Sequence, residues 1–254
     1  MVLKIKHFVI FITIIAFFSC KQKSPRPVKI EGRQIAIDSS VLGKGPYEEF
    51  ITPYRKHINE VLDSTLAYAP GPISREDGEF NTTAGNLMAD IVRTQANPIF
   101  RSRTGKDIDA VLLNYGGIRS IISKGKVSAR NAFEVMPFEN MIKVAAIKGD
   151  YVNDMVTFLI QSSIPHPISG LQIVLDKNRE LKKALINGEP IDSGRTYYIA
   201  TSDYLISGGD HMDFFKKSMS ITDTDYLIRN AMIDYFKKVD TLAPVIDNRF
   251  YMEK

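Results

Sequence analysis

Cysteine is almost missing from this 254-residue sequence, with Cys20 the single example. One cysteine makes no internal disulfide, and an acylated Cys20 would leave no thiol for catalysis either. A strong charge imbalance is missing too. The net charge is +4, and Lys4 and Lys6 lie in a leader expected to be removed, so about +2 remains. That is too little to argue for nucleic acid, and no Lys/Arg-rich run with interleaved aromatics occurs. The longest apolar run, Phe8 to Phe18, is short of the roughly 20 residues a membrane span needs. No internal repeat is found. What is present is apolar content of 44%, ample for one large domain or two small ones.

The opening "MVLKIKHFVIFITIIAFFSC" places a short basic region before the apolar run, which stops at Ser19-Cys20. The shape is that of a secretory signal and resembles a bacterial lipoprotein signal. Residues 1–20 are therefore expected to be a signal peptide ending at Cys20, with lipidation at that residue. An ordinary signal peptide or an uncleaved anchor is the alternative. The protein is expected to be exported and lipid-anchored to the cell envelope, facing the periplasm or the outside.

Residues 21–46 are polar with scattered Pro and Gly and read as a tether, with a short strand near "RQIAID". Over 47–67, Ile51, Tyr54, Ile58, Val61, Leu62 and Leu66 fall near helical spacing and predict an amphipathic helix with a solvated His57. "NTTAGNLMADIVRTQA" predicts a second helix capped by Thr82 or Thr83, with Leu87, Ile91 and Val92 as its apolar stripe. "DAVLLN" reads as a buried strand. "IKVAAIKGDYVNDMVTFLIQSS" reads as strand, turn at Gly149-Asp150 and helix. "GLQIVLD" and "ALINGEPI" read as paired strands with a turn at Asn187-Gly188. "TYYIATSDYL" reads as a further strand, and "DTDYLIRNAMIDYFKKV" as a last helix. Strands and helices mix without strict alternation, which predicts an α/β (α+β) domain over 47–254, a mixed β-sheet flanked by helices.

Two Gly-Gly pairs follow strand-like runs: Gly116-Gly117 in "NYGGIRS" and Gly208-Gly209 in "LISGGDHMDFF". Lacking a Cβ, such pairs let the backbone turn sharply and approach a ligand. Asn114 can both donate and accept hydrogen bonds. Arg119 carries a planar fork suited to phosphate or ribose oxygens. Asp210 can accept from two sugar hydroxyls. Pro137 fixes the chain before Phe138 and favours a presented ring. Phe138 and Tyr204 on either side of a slot would sandwich a flat heterocycle. Each feature taken singly is also compatible with a plain turn or ordinary core packing. Asp210, His211 and Asp213, with no further ligand cluster, make weak metal ligands, and none is assigned.

Taken together, "GNLMAD", "NYGGIR", "MPFENMIKVAAIKG" and "YLISGGD" occur in one order behind the helix "YRKHINEVL". In order and spacing, over roughly 47–240, they resemble the C-terminal domain of the 5'-nucleotidase family. The resemblance implies a domain that binds the nucleoside part of a substrate. Phe138 and Tyr204 would clamp the base, Asp210 would hold the ribose, and Asn114 and Arg119 would touch base, sugar and phosphate. Three positions depart from the family pattern. Tyr115 replaces the first of three glycines and narrows the loop. Glu139 replaces a glycine and puts an acid near an expected anion. His211 replaces a glycine after Asp210. Arg75, Arg93 and Arg101 lie near the family's further substrate arginines, but none sits at a matching position.

Family members hydrolyse phosphate esters with two metal ions held by a separate metallophosphatase domain. The Asp-x-His and Gly-Asn-His-Asp/Glu segments of such domains do not occur here. Of the four histidines, His7 lies in the leader, His57 on a helix and His166 in a Pro-His-Pro loop, leaving His211 as the one expected near the site. The chain itself is therefore expected to hold no cofactor. Divalent metals are expected only on a partner, possible as a separately encoded metallophosphatase subunit. A non-catalytic nucleoside-binding envelope lipoprotein and a decayed structural lipoprotein are the competing readings.

Overall fold

The computed structural model describes residues 2–17, 29, 31–36, 45–162 and 164–253. Cys20, the end of the leader and most of the tether lie outside these residues. The chain divides into two compact units, 1–49 and 50–254. In the first, the apolar run forms helix α1 (Val2–Phe17). Among the described residues no helix is long and apolar enough to cross a membrane. Residues 31–36 form no strand, contrary to the expectation for "RQIAID"; Ile37 and Asp38 lie outside the described residues.

Helix α2 (Pro46–Asp63) ends earlier than its periodicity predicts, because Thr65–Ala69 forms strand β1. Strand β1 pairs antiparallel with β3 (Gly125–Ser128), a partner some 60 residues away that the local pattern does not register. None of the α2 residues is buried, and Ile51, Tyr54, Ile58 and Val61 are exposed. Helix α3 (Thr83–Thr104) starts where expected: Thr82 is its N-cap, and its Oγ1 accepts from the Gly85 amide at 3.1 Å. The helix runs on past the predicted stretch and ends at Gly105, which takes the left-handed cap conformation at φ 72°.

The central sheet has five strands: β2 (Ala110–Leu112), β4 (Met141–Lys148), β5 (Ile168–Ser169), β9 (Thr196–Ser202) and β10 (Ser220–Leu227). Their order is β10-β4-β9-β2-β5. Strands β2 and β9 are parallel and the other pairs antiparallel, so the sheet is mixed, as expected. Its residues alternate between two cores. Val111, Leu113, Ile142, Val144 and Ala200 face one, with α3 and α7 (Ile228–Phe236). Ala110, Leu112, Ala145, Ile147, Tyr197 and Ile199 face the other, with α5 (Gly149–Ser162). Burial of both faces explains why "AVLL" and "VAAI" read as continuous apolar runs rather than alternating ones.

A second sheet packs in the latter core, in the order β11 (Phe250–Met252), β6 (Leu171–Leu175), β7 (Leu181–Ile186), β8 (Glu189–Pro190). β6 and β7 pair as expected, but the Asn187-Gly188 turn joins β7 to β8. Asn187 and Gly188 both have positive φ, 51° and 86°, which suits a two-residue hairpin turn. The last helix is shorter than predicted: Ser220–Leu227 is the edge strand β10, and α7 begins only at Ile228. Thr224 and Tyr226 fit a strand as readily as a helix, and pairing with β4 decides the outcome.

Candidate nucleoside-binding site

Sheet order brings the site together. β2 and β9 run parallel, so their C-terminal ends leave at one edge of the sheet. From the first come Asn114 and a short 3-10 turn, Tyr115–Gly117; from the second come helix α6 (Asp203–Ile206), bearing Tyr204, and the turn Gly209–His211, bearing Asp210. β4 is antiparallel to β9, so the residues before its start, Phe138 and Asn140, reach the same edge. β5 is antiparallel to β2, and the residue two before its start is His166.

A cavity of about 370 Å³ opens at this edge, lined by Asn114, Gly116, Gly117, Arg119, Phe138, Asn140, Tyr204 and Asp210. All five side chains expected at the site therefore line one space, together with one glycine pair. The Asp210 carboxylate is its hub: Oδ1 accepts from the Tyr204 hydroxyl at 2.8 Å and Oδ2 from Asn114 Nδ2 at 2.7 Å. The bond to Asp210 pushes the Tyr204 phenol above its ordinary pKa, so the hydroxyl stays a donor. Phe138 and Tyr204 are 42% and 44% exposed, high for aromatic side chains and available to a ligand. Arg119 is exposed, and among the described residues its guanidinium donates to the Gly116 carbonyl, at 3.3 Å.

The second glycine pair shapes the loop without lining this cavity. Gly208 has φ 88°, and a Cβ on Gly209 would sit 2.5 Å from two Tyr204 ring carbons. Asp210 and His211 also adopt positive φ, 51° and 62°. Left-handed backbone at two non-glycine residues costs on the order of 1 kcal/mol each and is found where the surroundings enforce it. Here it turns the Asp210 carboxylate toward Asn114 and Tyr204.

A neighbouring cavity of about 770 Å³ shares Gly116, Tyr204 and Asp210 and adds Tyr115, Phe158, Ser162, Ile164, His166, Gly208, Gly209 and His211. His166 corrects the expectation that only His211 lies near the site. It is buried, its Nδ1 accepts from the Tyr115 amide at 3.2 Å, and its ring lies 5.6 Å from that of Phe158. Burial pushes its pKa down to about 4, partly opposed by the Asp210 charge, so it is neutral at pH 7. Asn140 and Phe158 were also missed. Asn140 lies inside the segment "MPFENMIKVAAIKG" but was given no role there, while no motif carries His166 or Phe158; Pro165 and Pro167 around His166 are the one local sign of a fixed loop.

Of the departures from the family pattern, Glu139 resolves differently from expectation. Glu139 does not place an acid at the cavity: its carboxylate is held by Arg229 of α7. The Tyr115 ring lies under the Arg75 guanidinium at 4.5 Å, and Arg75 donates to the Ile118 carbonyl at 2.6 Å, bracing the turn from outside. Arg93 lines a separate groove with Asp90 and Arg249, and Arg101 pairs with Asp107, so neither belongs to the site. Among the described residues no three His, Cys, Asp or Glu side chains converge to hold an ion. Asp213 is drawn to Lys216 instead. The side chains of the described residues do not gather as a two-metal centre needs.

The sequence model for "5'-nucleotidase, C-terminal domain" matches residues 64–217, more than half of the chain. The chain belongs to that family. Protein UshA of Escherichia coli K12 is 29% identical over 195 residues, 76% of this chain and 34% of the relative. Cell wall protein Lmo0130 of Listeria monocytogenes is 27% identical, over 76% of this chain and 27% of its own length. The chain thus spans about a third of these curated relatives. The crystal structure of a 5'-nucleotidase precursor from Thermus thermophilus shares the fold, with a TM-score of 0.67 at 21% identity over 81% of this chain and 42% of that one.

Proposed function

We propose that this domain recognises a nucleoside or nucleotide and serves a 5'-nucleotidase-type phosphoester hydrolase whose divalent metals come from a separately encoded metallophosphatase. One observation carries the reading: an exposed carboxylate, Asp210, held by Asn114 and Tyr204 in a cavity that Phe138 and Tyr204 also line. An ionised carboxylate has about four acceptor positions. Two are taken from within the protein, which leaves two for adjacent ribose hydroxyls. Phe138 and Tyr204 make no ring contact with each other, and the space beside them admits a base. Arg119 offers its donors to the phosphate.

Family membership supports the substrate class, since the relatives include proteins named 5'-nucleotidase. The lack of converging metal ligands among the described residues favours the alternative, a binding protein without chemistry of its own. Export with a lipid anchor at Cys20 fits the leader, and one relative is named a cell wall protein. Calorimetric titration with adenosine, guanosine, uridine and cytidine tests the reading. At least one should bind, and Phe138→Ala should weaken it about tenfold or more, because stacking contributes roughly 1–3 kcal/mol per base. Binding unaffected by that substitution would remove the clamp.

A further inference from the structure

Five residues, Met136 to Asn140, connect α4 (Ala129–Val135) to β4 and present Phe138 and Asn140 to the cavity. Proline fixes one φ in this segment, but regular secondary structure covers none of it. Its two ends are tied. The Val135 carbonyl accepts from the Arg119 amide at 2.8 Å, and the Asn140 carbonyl accepts from the Ile228 amide at 3.0 Å. Between those ties stands Arg229, in the first turn of α7.

Arg229 is 5% exposed, unusual for an arginine. Its Nη1 lies within hydrogen-bond distance of three successive carbonyls, Met136 at 3.4 Å, Pro137 at 3.2 Å and Phe138 at 3.3 Å. Its Nη2 donates to Glu139 Oε1, and its guanidinium carbon sits 4.3 Å from the centre of the Phe133 ring. Every partner belongs to α4 or to the presenting loop. Only a planar fork makes these contacts at once; a lysine ammonium has one nitrogen to share among them.

Two features separate placement from general stabilisation. Arg229 Nε is buried without a hydrogen-bond partner, so the guanidinium is not there to satisfy itself fully. And three carbonyl dipoles converging on one nitrogen fix the course of the loop, because a buried cation tolerates no arrangement that leaves it unpaired. Glu139, whose side chain is 72% exposed, balances the charge from the solvent side.

We propose that Arg229 is a positioning residue for the ligand site, with Glu139 as its counter-charge: together they hold the Met136–Asn140 loop so that Phe138 is placed before any ligand arrives. The proposal rests on the reading of Phe138 as the ring that meets the base. It accounts for the pairing of two residues 90 positions apart, and for an acid where the family pattern has glycine.

The test is a double-mutant cycle on nucleoside affinity, using the tightest binder of the four nucleosides above, with thermal unfolding alongside. Arg229→Met in the wild-type background should weaken binding about as much as Phe138→Ala, on the order of tenfold. In the Phe138→Ala background it should add less than twofold, and Arg229→Lys should recover only part of the loss. Losses that multiply in the double variant would overturn the proposal, since a merely structural arginine would act whether or not the ring is present. Should Arg229→Met not fold, Glu139→Gln serves in its place, with a few-fold loss that again vanishes without Phe138. A ligand-free measurement separates this proposal from the functional one. Hydrogen exchange at the Arg119 and Ile228 amides should speed up in Arg229→Met while α3 stays protected. If wild type binds no nucleoside, the functional reading falls but the exchange result still decides on Arg229; unchanged exchange would sink it.

Discussion

Asp210 shows how much one residue's surroundings decide. Its carboxylate is exposed, yet its direction is set by a left-handed backbone, a tyrosine hydroxyl and a buried asparagine amide. His166, a few side chains away, is set by the opposite condition. Its environment refuses the proton, with a folded pKa of about 4 against an ordinary value of 6.5. The unfolded chain takes up that proton as pH falls through 6.5, and the folded chain does not until about 4. Stability from the neutral imidazole is therefore full above pH 6.5 and is lost as pH falls toward 4, by roughly 3 kcal/mol in all. Urea unfolding of wild type and His166→Gln at pH 7.5 and 4.5 measures it. The wild type should lose more stability than the variant, and equal losses would show that His166 does not titrate in this way.

At the scale of elements, the site depends on how two loops meet rather than on any regular element. The Gly208–His211 turn lies against α6 because Gly209 has no Cβ to strike the Tyr204 ring. Gly209→Ala should push that ring away and break its bond to Asp210. The expected result is about a tenfold or greater loss of nucleoside affinity, the value of one stacked ring, with the melting temperature nearly kept. Retained affinity would mean the loop yields without moving the ring. Element boundaries follow the same logic. The cap at Thr82 and the stripe on α3 are local signals and were legible. The end of α2 and the start of α7 were not, because β1 and β10 are strands only by virtue of partners far along the chain.

For the molecule as a whole, the central sheet is the assembling device. Its order delivers two strand ends and the approaches to two strand starts at one edge, and the cavity forms there. No comparable convergence gathers metal ligands among the described residues. Residues 21–254 alone, given AMP with Mg, Mn or Zn, should release no phosphate above a protein-free blank. Metal-dependent release that disappears in Asp210→Ala would reveal chemistry within this chain and end the reading in which a separate subunit supplies the metals.

By itself the sequence determined the family and the mixed α/β class, and it singled out five side chains that line one cavity. Those signals are contiguous: a motif, a glycine pair or a short apolar run needs no distant partner to be read. The tertiary structure decided what distant partners compete for. It took Glu139 away from the cavity and gave it to Arg229, brought His166 beside Asp210, and turned the supposed head of the last helix into a strand. In each case the deciding interaction joins residues dozens of positions apart, and no local pattern encodes which of several possible partners burial will favour.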